Sequence, residues 1–89
     1  MLGKKYRILK NNLYPPPLPY RAPRYGEIGV CIKVLDNLLY LKFEDENIMG
    51  SVTRTPGQYN VFERHVRMLL DPLEALIEEV QNKPYVDSD

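Results

Sequence analysis

Residues 26–46 carry the pattern that most constrains the fold of this chain. When the segment is folded about Asp36 and Asn37, three pairs of apolar side chains face each other on one side of two strands. The pairs are Val34 with Leu39, Ile32 with Leu41, and Val30 with Phe43. Because side chains alternate along a strand, a slip of one residue would turn the whole set outward. The segment therefore predicts a β-hairpin whose apolar residues form the centre of the core, with a tight turn that Asp and Asn tolerate.

The opposite face of this hairpin is predicted to be more polar, with Lys33 facing Tyr40 and Cys31 facing Lys42. We interpret Cys31 as a small buried or half-buried hydrophobic residue. It is the only cysteine, and the chain has a single histidine, His65. These two residues do not assemble a zinc site or a catalytic Cys-His pair with an orienting third group.

Two further patterns carry no specific chemistry. Residues 44–47 (EDEN) form an acidic cluster, but they lack the spaced ligands and the glycine of a calcium loop. The glycines are too scattered to form a loop that cradles phosphate. We therefore expect a protein without catalytic residues, cofactor or metal.

The length of the chain sets its domain organisation. Its 89 residues predict a single domain spanning residues 1–89, because a chain of this size buries roughly 60–65% of its unfolded surface in one modest core. A single cysteine excludes an internal disulfide framework. No apolar run approaches the ~18–20 residues that a membrane span requires. These features favour a soluble cytoplasmic protein without membrane contact.

Residues 4–10 place Tyr6 and Ile8 on one side of an extended segment, which predicts a short first strand. Five prolines follow within nine residues. They are Pro15, Pro16, Pro17, Pro19 and Pro23. Because each proline removes a backbone donor and fixes φ, they favour polyproline II and turns over a central strand or a helix. Residues 11–25 are therefore predicted to form one long, stiff, proline-rich loop.

After the hairpin, residues 47–50 are predicted to form a turn and residues 51–54 a short strand. Residues 55–57 (TPG) are a strong turn signal.

Residues 59–70 fit two structures. Read as strands, they give an extended start, a single helical turn at residues 62–65 and a last strand at residues 66–69. Read as a helix, they have Asn60 as the cap and Glu63 as its capping-box partner. Short apolar runs do not separate the two.

Residues 71–83 predict a C-terminal amphipathic helix. Asp71 is a good N-cap, Pro72 suits the first helical position, and Glu74 completes an Asp-x-x-Glu box. Four apolar residues then fall on one stripe: Leu73, Leu76, Ile77 and Val80. Because a helix of about eleven residues is marginal alone, we expect this stripe to dock on a core or a partner. Residues 84–89 are expected to form an acidic tail.

The order of strand, long loop, hairpin, short strand, helical turn and last strand resembles the Src-homology-3-like fold. Residues 11–25 stand in the place of its long first loop. Residues 25–30 (YGEIGV) are similar to its Gly-rich entry to the second strand, and residues 62–69 (FERHVRML) are similar to its closing helical turn and final strand. The resemblance covers residues 4–70 and implies a mainly β fold, a small five-stranded barrel, to which the C-terminal α-helix is added.

The resemblance has a limit that bears on function. Signalling Src-homology-3 domains grip proline ligands with a tryptophan and an acidic, aromatic first loop, and this chain has no Trp. The resemblance therefore does not imply that the chain reads proline peptides. It implies that the chain is similar to small barrels that often serve as accessory or regulatory subunits of larger assemblies.

Residues 13–20 (LYPPPLPY), here called the proline-tyrosine arm, form the one recognisable binding feature. A preformed polyproline II ridge flanked by tyrosines can be gripped at low entropy cost. The PPLP core resembles a ligand of one class of WW domain, and LYP with Leu18 is similar to the late-domain motif of viral proteins. The ridge can also pack over the barrel, with its tyrosines closing the core. The predicted partner-binding residues are Leu13, Tyr14, Pro16, Pro17, Leu18, Tyr20, Arg21 and Arg24.

Charge is distributed unevenly along a chain whose net charge is zero. Residues 1–26, here called the basic segment, carry six cations and no acid: Lys4, Lys5, Arg7, Lys10, Arg21 and Arg24. From residue 71 onward there are six acids: Asp71, Glu74, Glu78, Glu79, Asp87 and Asp89. The two ends can neutralise each other or serve two different partners. With Tyr6 and Tyr25, the basic segment could also stack on bases and contact phosphate.

These patterns favour a non-catalytic accessory or regulatory protein that binds a larger protein or protein complex through its proline-tyrosine arm. The alternative is a nucleic-acid-associated small subunit that contacts phosphate through the basic segment. We favour the protein partner because the acidic C-terminal residues would repel a polyanion lying across the same small domain.

Overall fold

Five strands form one antiparallel sheet in the computed structural model, which describes residues 2–11, 13–50 and 54–80. The strands are β1 (Lys5–Ile8), β2 (Ile28–Leu35), β3 (Leu38–Lys42), β4 (Gln58–Phe62) and β5 (Ile77–Glu79). Two 3₁₀ turns, Glu63–His65 and Arg67–Leu69, connect β4 to β5. The order across the sheet is β4-β3-β2-β1-β5, so the first strand lies between the second and the last.

The hairpin turns where the sequence predicts. Asp36 and Asn37 have φ angles of 51° and 65°, in the left-handed region that these two residue types tolerate better than most. Two of the predicted cross-strand pairs, those nearest the turn, are present: Val34 with Leu39 and Lys33 with Tyr40.

A β-bulge between Cys31 and Lys33 changes the pairing farther from the turn. Cys31, expected opposite Lys42, pairs instead with Leu41 and is buried. The extra residue is Ile32, which is 42% exposed and has no cross-strand partner. A bulge adds one residue to one strand, so it reverses which residues beyond it face the core. Three predicted pairs are consequently wrong: Cys31 with Lys42, Ile32 with Leu41, and Val30 with Phe43.

The core lies on one face of the sheet and is closed by the long loop. Its buried members among the described residues include Tyr6, Ile8, Leu13, Cys31, Leu39, Leu41, Phe43, Ile48, Tyr59, Val61, Val66 and Ile77. The predicted core residues of β3 are therefore right. On β2 the prediction is wrong, because Cys31 and Gly29 are the buried residues of this strand. A Cβ at Gly29 would lie 2.8 Å from the ring of Phe43, so Phe43 packs where only a glycine leaves room.

The predicted C-terminal helix is wrong, because no α-helix occurs in the described part of the chain. Within the predicted helix, Ile77–Glu79 forms β5 and pairs antiparallel with β1. Asp71 does cap, but only a single turn: its carboxylate accepts the Leu73 N–H at 3.2 Å, and its carbonyl oxygen accepts the Glu74 N–H at 2.8 Å. Residues 81–83 of the predicted helix and the tail at residues 84–89 lie outside the described residues.

The pairing of β5 with β1 explains why this segment forms a strand and not the predicted helix. A short helix gains little from its own hydrogen bonds, whereas the edge of β1 offers backbone groups that need partners. The predicted apolar stripe is split accordingly. Ile77 is buried in the core, while Leu73 is 83% exposed.

Of the two structures that residues 59–70 fit, the strand interpretation is right at its start. β4 ends at Phe62 and a 3₁₀ turn follows, as predicted. The last strand at residues 66–69 is wrong, because Val66 makes only an isolated parallel bridge to Ile77 before the second 3₁₀ turn begins. The turn at residues 55–57 is confirmed by the bond from the Gln58 N–H to the Thr55 carbonyl oxygen at 3.1 Å. Most of the short strand predicted at residues 51–54 lies outside the described residues.

The sheet is open, with β4 and β5 as its two edge strands, so the predicted closed barrel is corrected to an open sheet. The two edges approach each other after β4, where the Leu76 N–H donates to the His65 carbonyl oxygen at 2.9 Å. The long loop is tied to the segment before β4 by a parallel bridge between Arg21 and Ile48.

Candidate partner-binding site

The first part of the proline-tyrosine arm buries two side chains that are three residues apart, and the pattern stops before Pro19, which is exposed. Leu13 and Pro16 are buried, whereas Tyr14, Pro15 and Pro17 are exposed. Three residues per turn is the period of a polyproline II helix. One face of the ridge is therefore seated on the protein, and its other two faces are open to solvent.

The start of the arm is anchored to β4. The Tyr59 hydroxyl donates to the carbonyl oxygen of Tyr14 at 2.8 Å. Tyr59 is buried, and this burial raises the pKa of its phenol well above the usual value, so it remains a donor. Because the bond uses the backbone of Tyr14, the ring of Tyr14 stays 61% exposed.

The end of the arm is a turn. The Tyr20 N–H donates to the Pro17 carbonyl oxygen at 3.2 Å, and the intervening Leu18–Pro19 peptide bond is cis. Leu18 at the tip of this turn is 90% exposed, and Tyr20 is half-buried. The turn thus presents a large apolar side chain to solvent on a segment that is held at both ends.

Arg21 holds the end of the arm to the sheet through two carboxylates. Its guanidinium donates to both oxygens of Glu27, from Nη1 to Oε1 at 3.0 Å and from Nη2 to Oε2 at 2.7 Å. Nη2 also donates to Asp45 Oδ2 at 2.9 Å, and Nη1 to the Ala22 carbonyl oxygen at 3.1 Å. These charge-assisted bonds are short and partly shielded from water, since the Arg21 side chain is 24% exposed. We call these three side chains, Arg21, Glu27 and Asp45, the arginine clamp.

The pKa values in the arginine clamp follow from these bonds. Hydrogen bonds to Glu27 and Asp45 raise the pKa of Arg21 above its ordinary value. The bonds from Arg21 lower the pKa of Glu27. The pKa of Asp45 is lowered first by the Asn47 N–H and then by Arg21. All three groups are therefore charged at neutral pH.

Arg24 differs from Arg21 in that its guanidinium is not clamped by carboxylates of the described residues. Its backbone N–H donates to Glu27 Oε1 at 2.6 Å, but its exposed side chain makes no hydrogen bond or ion pair to the described residues. Next to it, Tyr25 is 65% exposed and donates its N–H to Asn11 Oδ1 at 2.8 Å. Arg24 and Tyr25 therefore extend the exposed surface beyond the arm.

Most of the predicted partner-binding residues meet at one surface depression of about 560 Å³. Six of them line it: Leu13, Pro16, Leu18, Tyr20, Arg21 and Arg24. Tyr14 and Pro17 do not line it and lie on the outer faces of the ridge. The structure also assigns Leu13 to the core and Arg21 to the arginine clamp, so neither is simply exposed; the role of the eight residues in binding stays a prediction.

The basic segment is largely paired within the chain. Lys4 lies 3.1 Å from Glu79, and Arg7 lies 2.7 Å from Glu78. Lys10 donates to the Leu73 carbonyl oxygen at 2.7 Å. Two ion pairs thus join the basic segment to the described acids of the C-terminal part, because β5 lies beside β1, a neighbourhood that the helix prediction did not contain.

An apolar surface that sequence reasoning missed lies at the tip of the hairpin. Leu35, Leu38 and Phe62 form one row across β2, β3 and β4. The guanidinium of Arg64 lies 5.4 Å from the centre of the Phe62 ring, within the range of a cation–π contact. The cross-strand register of β4, which the sequence left open, is what brings this row together.

His65 is the remaining titratable group of interest. Its Nδ1 is buried without a hydrogen-bond partner among the described residues, and its ring meets Phe62 edge-on with 6.1 Å between centroids. Burial, followed by the charges of Arg64 and Lys10, lowers the pKa of His65. This environment favours the neutral imidazole.

The described part of the chain contains no cluster of three or more His, Cys, Asp or Glu side chains suited to hold a metal ion. None of its elements is a helix long and apolar enough to cross a membrane. Comparison of the chain with protein-family models, with curated proteins and with solved structures yields no match.

Proposed function

We propose that this chain is a non-catalytic accessory or regulatory protein that binds a larger protein through the exposed faces of its proline-tyrosine arm. The observation that carries the proposal is the burial of Leu13 and Pro16, three residues apart, in the first part of the arm. It leaves Tyr14, Pro17 and Leu18 exposed on a segment anchored at both ends. A ridge that is already ordered loses little conformational entropy on binding, which favours recognition of this kind.

The charge distribution supports a protein partner over a nucleic acid. Lys4, Arg7 and Arg21 form ion pairs within the chain, so their charge is already compensated. A surface that binds phosphate gains affinity by releasing counterions from the nucleic acid, and cations that are paired with carboxylates supply less of this gain. We therefore place the nucleic-acid alternative second.

The order of elements supports an inference about the kind of scaffold that carries the arm. Strand, long loop, hairpin, strand, 3₁₀ turn and last strand follow one another as in the Src-homology-3-like fold that the sequence resembles. We infer that the sheet is an open variant of that fold, with the proline-tyrosine arm in its long first loop.

The proposal is tested by capture from native lysate with the immobilised chain, followed by quantitative mass spectrometry. Leu18→Ala and Tyr14→Ala should each reduce capture of the same protein about tenfold or more, because exposed apolar anchors dominate such interfaces. Matched controls are Leu73→Ala and Met68→Ala, which remove large apolar side chains of similar exposure outside the arm. If the arm variants capture every protein as well as the control variants do, the arm is not the binding surface.

A further inference from the structure

Pro16, Pro19 and Arg21 occur with the spacing P-x-x-P-x-R. Src-homology-3 domains bind PxxP segments in grooves lined by aromatic side chains. An arginine beyond the second proline can add two parallel hydrogen bonds to a carboxylate at the end of such a groove. Residues 15–21 therefore carry both the apolar and the cationic elements of a ligand for this class of domain.

In the folded chain, the cationic element, Arg21, already has hydrogen-bond partners. Both terminal nitrogens of Arg21 donate to Glu27, and each makes a second bond, to Asp45 or to the Ala22 carbonyl oxygen. The arginine clamp thus offers Arg21 the carboxylate pairing that a partner domain would offer. A partner's carboxylate has to displace Glu27 and Asp45 to reach the guanidinium.

Part of the apolar element is covered as well. Pro16 is buried while Pro19 is exposed, and the bond from the Tyr20 N–H to the Pro17 carbonyl oxygen turns the chain at Leu18 and Pro19. The ridge therefore ends before the second proline of the spacing. A groove that reads Pro16, Pro19 and Arg21 together cannot do so while the arm is seated.

We propose that residues 15–21 are a masked ligand for a Src-homology-3 domain with an acidic pocket beside its groove, and that the arginine clamp holds them in the masked state. The inference rests on the proposed function, since it concerns the same arm, and it adds a second, released state of the arm end with its own class of partner. Binding of this class requires release of the arm end. Any event that neutralises Glu27 or Asp45 then favours the partner.

The side-chain contacts that hold the arm end are of a kind that a partner can replace. They are ion pairs just beyond the ends of β2 and β3, with the Asp45 side chain 41% exposed and the Glu27 side chain 31% exposed. The backbone of Arg21 is held separately, by bonds to the Asn47 carbonyl oxygen at 2.9 Å and from the Met49 N–H at 3.1 Å, and these bonds leave the guanidinium free to change partner. Partly exposed ion pairs are weakened by water and salt. The core contact of Leu13 lies outside residues 15–21 and can remain in place.

The test measures binding of the purified full-length chain to a panel of isolated Src-homology-3 domains, with WW domains in parallel. The unmasked variant is Glu27→Gln with Asp45→Asn, because both amides keep the shape of the side chains and can still accept the Arg24 and Asn47 N–H groups. We expect at least one Src-homology-3 domain to bind this variant about tenfold more tightly than the wild-type chain, as loss of competing charge-assisted bonds predicts. Adding Arg21→Ala should remove the gain.

Two controls separate unmasking from simpler causes. Glu44→Gln with Glu46→Gln makes the same change in net charge without touching Arg21, and it should give no gain. Tyr59→Phe removes the anchor at the other end of the arm and should also give no gain, because Arg21 stays clamped. An equal gain in either control overturns the proposal.

The remaining outcomes are also decisive. If no Src-homology-3 domain binds the unmasked variant, or if only WW domains bind it, the inference is wrong. It is also wrong if binding is indifferent to Arg21→Ala. These failures leave the proposed function intact as long as Leu18→Ala still reduces capture from lysate, so the two proposals fail separately.

Discussion

Leu41 on β3 is fully buried, whereas Ile32, the extra residue of the bulge in β2, is 42% exposed. Leu41→Ala should lower the free energy of unfolding by about 2–5 kcal/mol, because it removes buried methyl groups and leaves a cavity. Ile32→Ala should cost less than about 1 kcal/mol. Urea unfolding of the two variants measures both values. Equal losses would mean that Ile32 pairs with Leu41 and that the bulge is absent.

The protonation of His65 makes stability depend on pH. Burial lowers the pKa of His65 in the folded state, so the unfolded chain binds the proton more readily. The free energy of unfolding should therefore be largest above the unfolded pKa of about 6.5 and should fall as the pH drops below it. His65 is the only histidine, so urea unfolding between pH 7.5 and 5.5 isolates its effect. In His65→Gln the slope over this interval should be smaller; an unchanged slope would contradict the assignment.

At the scale of elements, the last strand distinguishes the two structures that residues 71–83 could adopt. A helix would bury Leu73 and Ile77 on one stripe, whereas β5 buries Ile77 and leaves Leu73 exposed. Ile77→Ala should therefore cost about 2–5 kcal/mol and Leu73→Ala less than about 1 kcal/mol. Chemical denaturation of both variants, with amide exchange at the Val80 N–H bonded to the Lys5 carbonyl oxygen, gives the readout. Comparable losses of stability in the two variants would contradict the burial pattern of β5.

The elements also show which parts of the fold local sequence determines. The hairpin turn at Asp36 and Asn37 follows from turn chemistry and alternation, and it is where the sequence predicts, whereas for residues 59–70 the sequence left a strand and a helix both open. The bulge at Ile32 and the strand at Ile77 do not follow, because each depends on residues distant in sequence. In the register beyond the bulge, Phe43 packs over Gly29, and the strand at Ile77 pairs with the open edge of β1.

The candidate site, too, follows only in part from the local sequence. Proline content alone predicts a stiff, irregular loop at residues 11–25 and singles out the arm. It does not reveal which arm residues face the core, since burial of Leu13 and Pro16 depends on β4 and the sheet beneath. Nor does it reveal the arginine clamp, whose members Arg21 and Asp45 are brought together only by the tertiary fold.

At the scale of the whole molecule, the paired charges predict weak attraction to nucleic acid. Lys4 and Arg7 are paired with Glu79 and Glu78 along β1 and β5, and Arg21 is paired with Glu27 and Asp45, so half of the six cations of the basic segment already have a carboxylate partner. Single- and double-stranded oligonucleotides should show no binding at micromolar concentrations, even at low salt, in a fluorescence anisotropy titration. Salt-sensitive binding that Arg24→Glu abolishes and Tyr14→Ala leaves unchanged would favour the nucleic-acid alternative.

The position of β1 between β2 and β5 has a consequence for the order in which the chain folds. β2, β3 and β4 are joined by sequence neighbours, whereas Tyr6 on β1 pairs with Glu79 across most of the chain. Closing so long a loop costs more entropy than forming adjacent hairpins. The three-strand meander should therefore form before the β1–β5 ladder. During synthesis, the first strand must wait for the last to leave the ribosome before its second edge is covered.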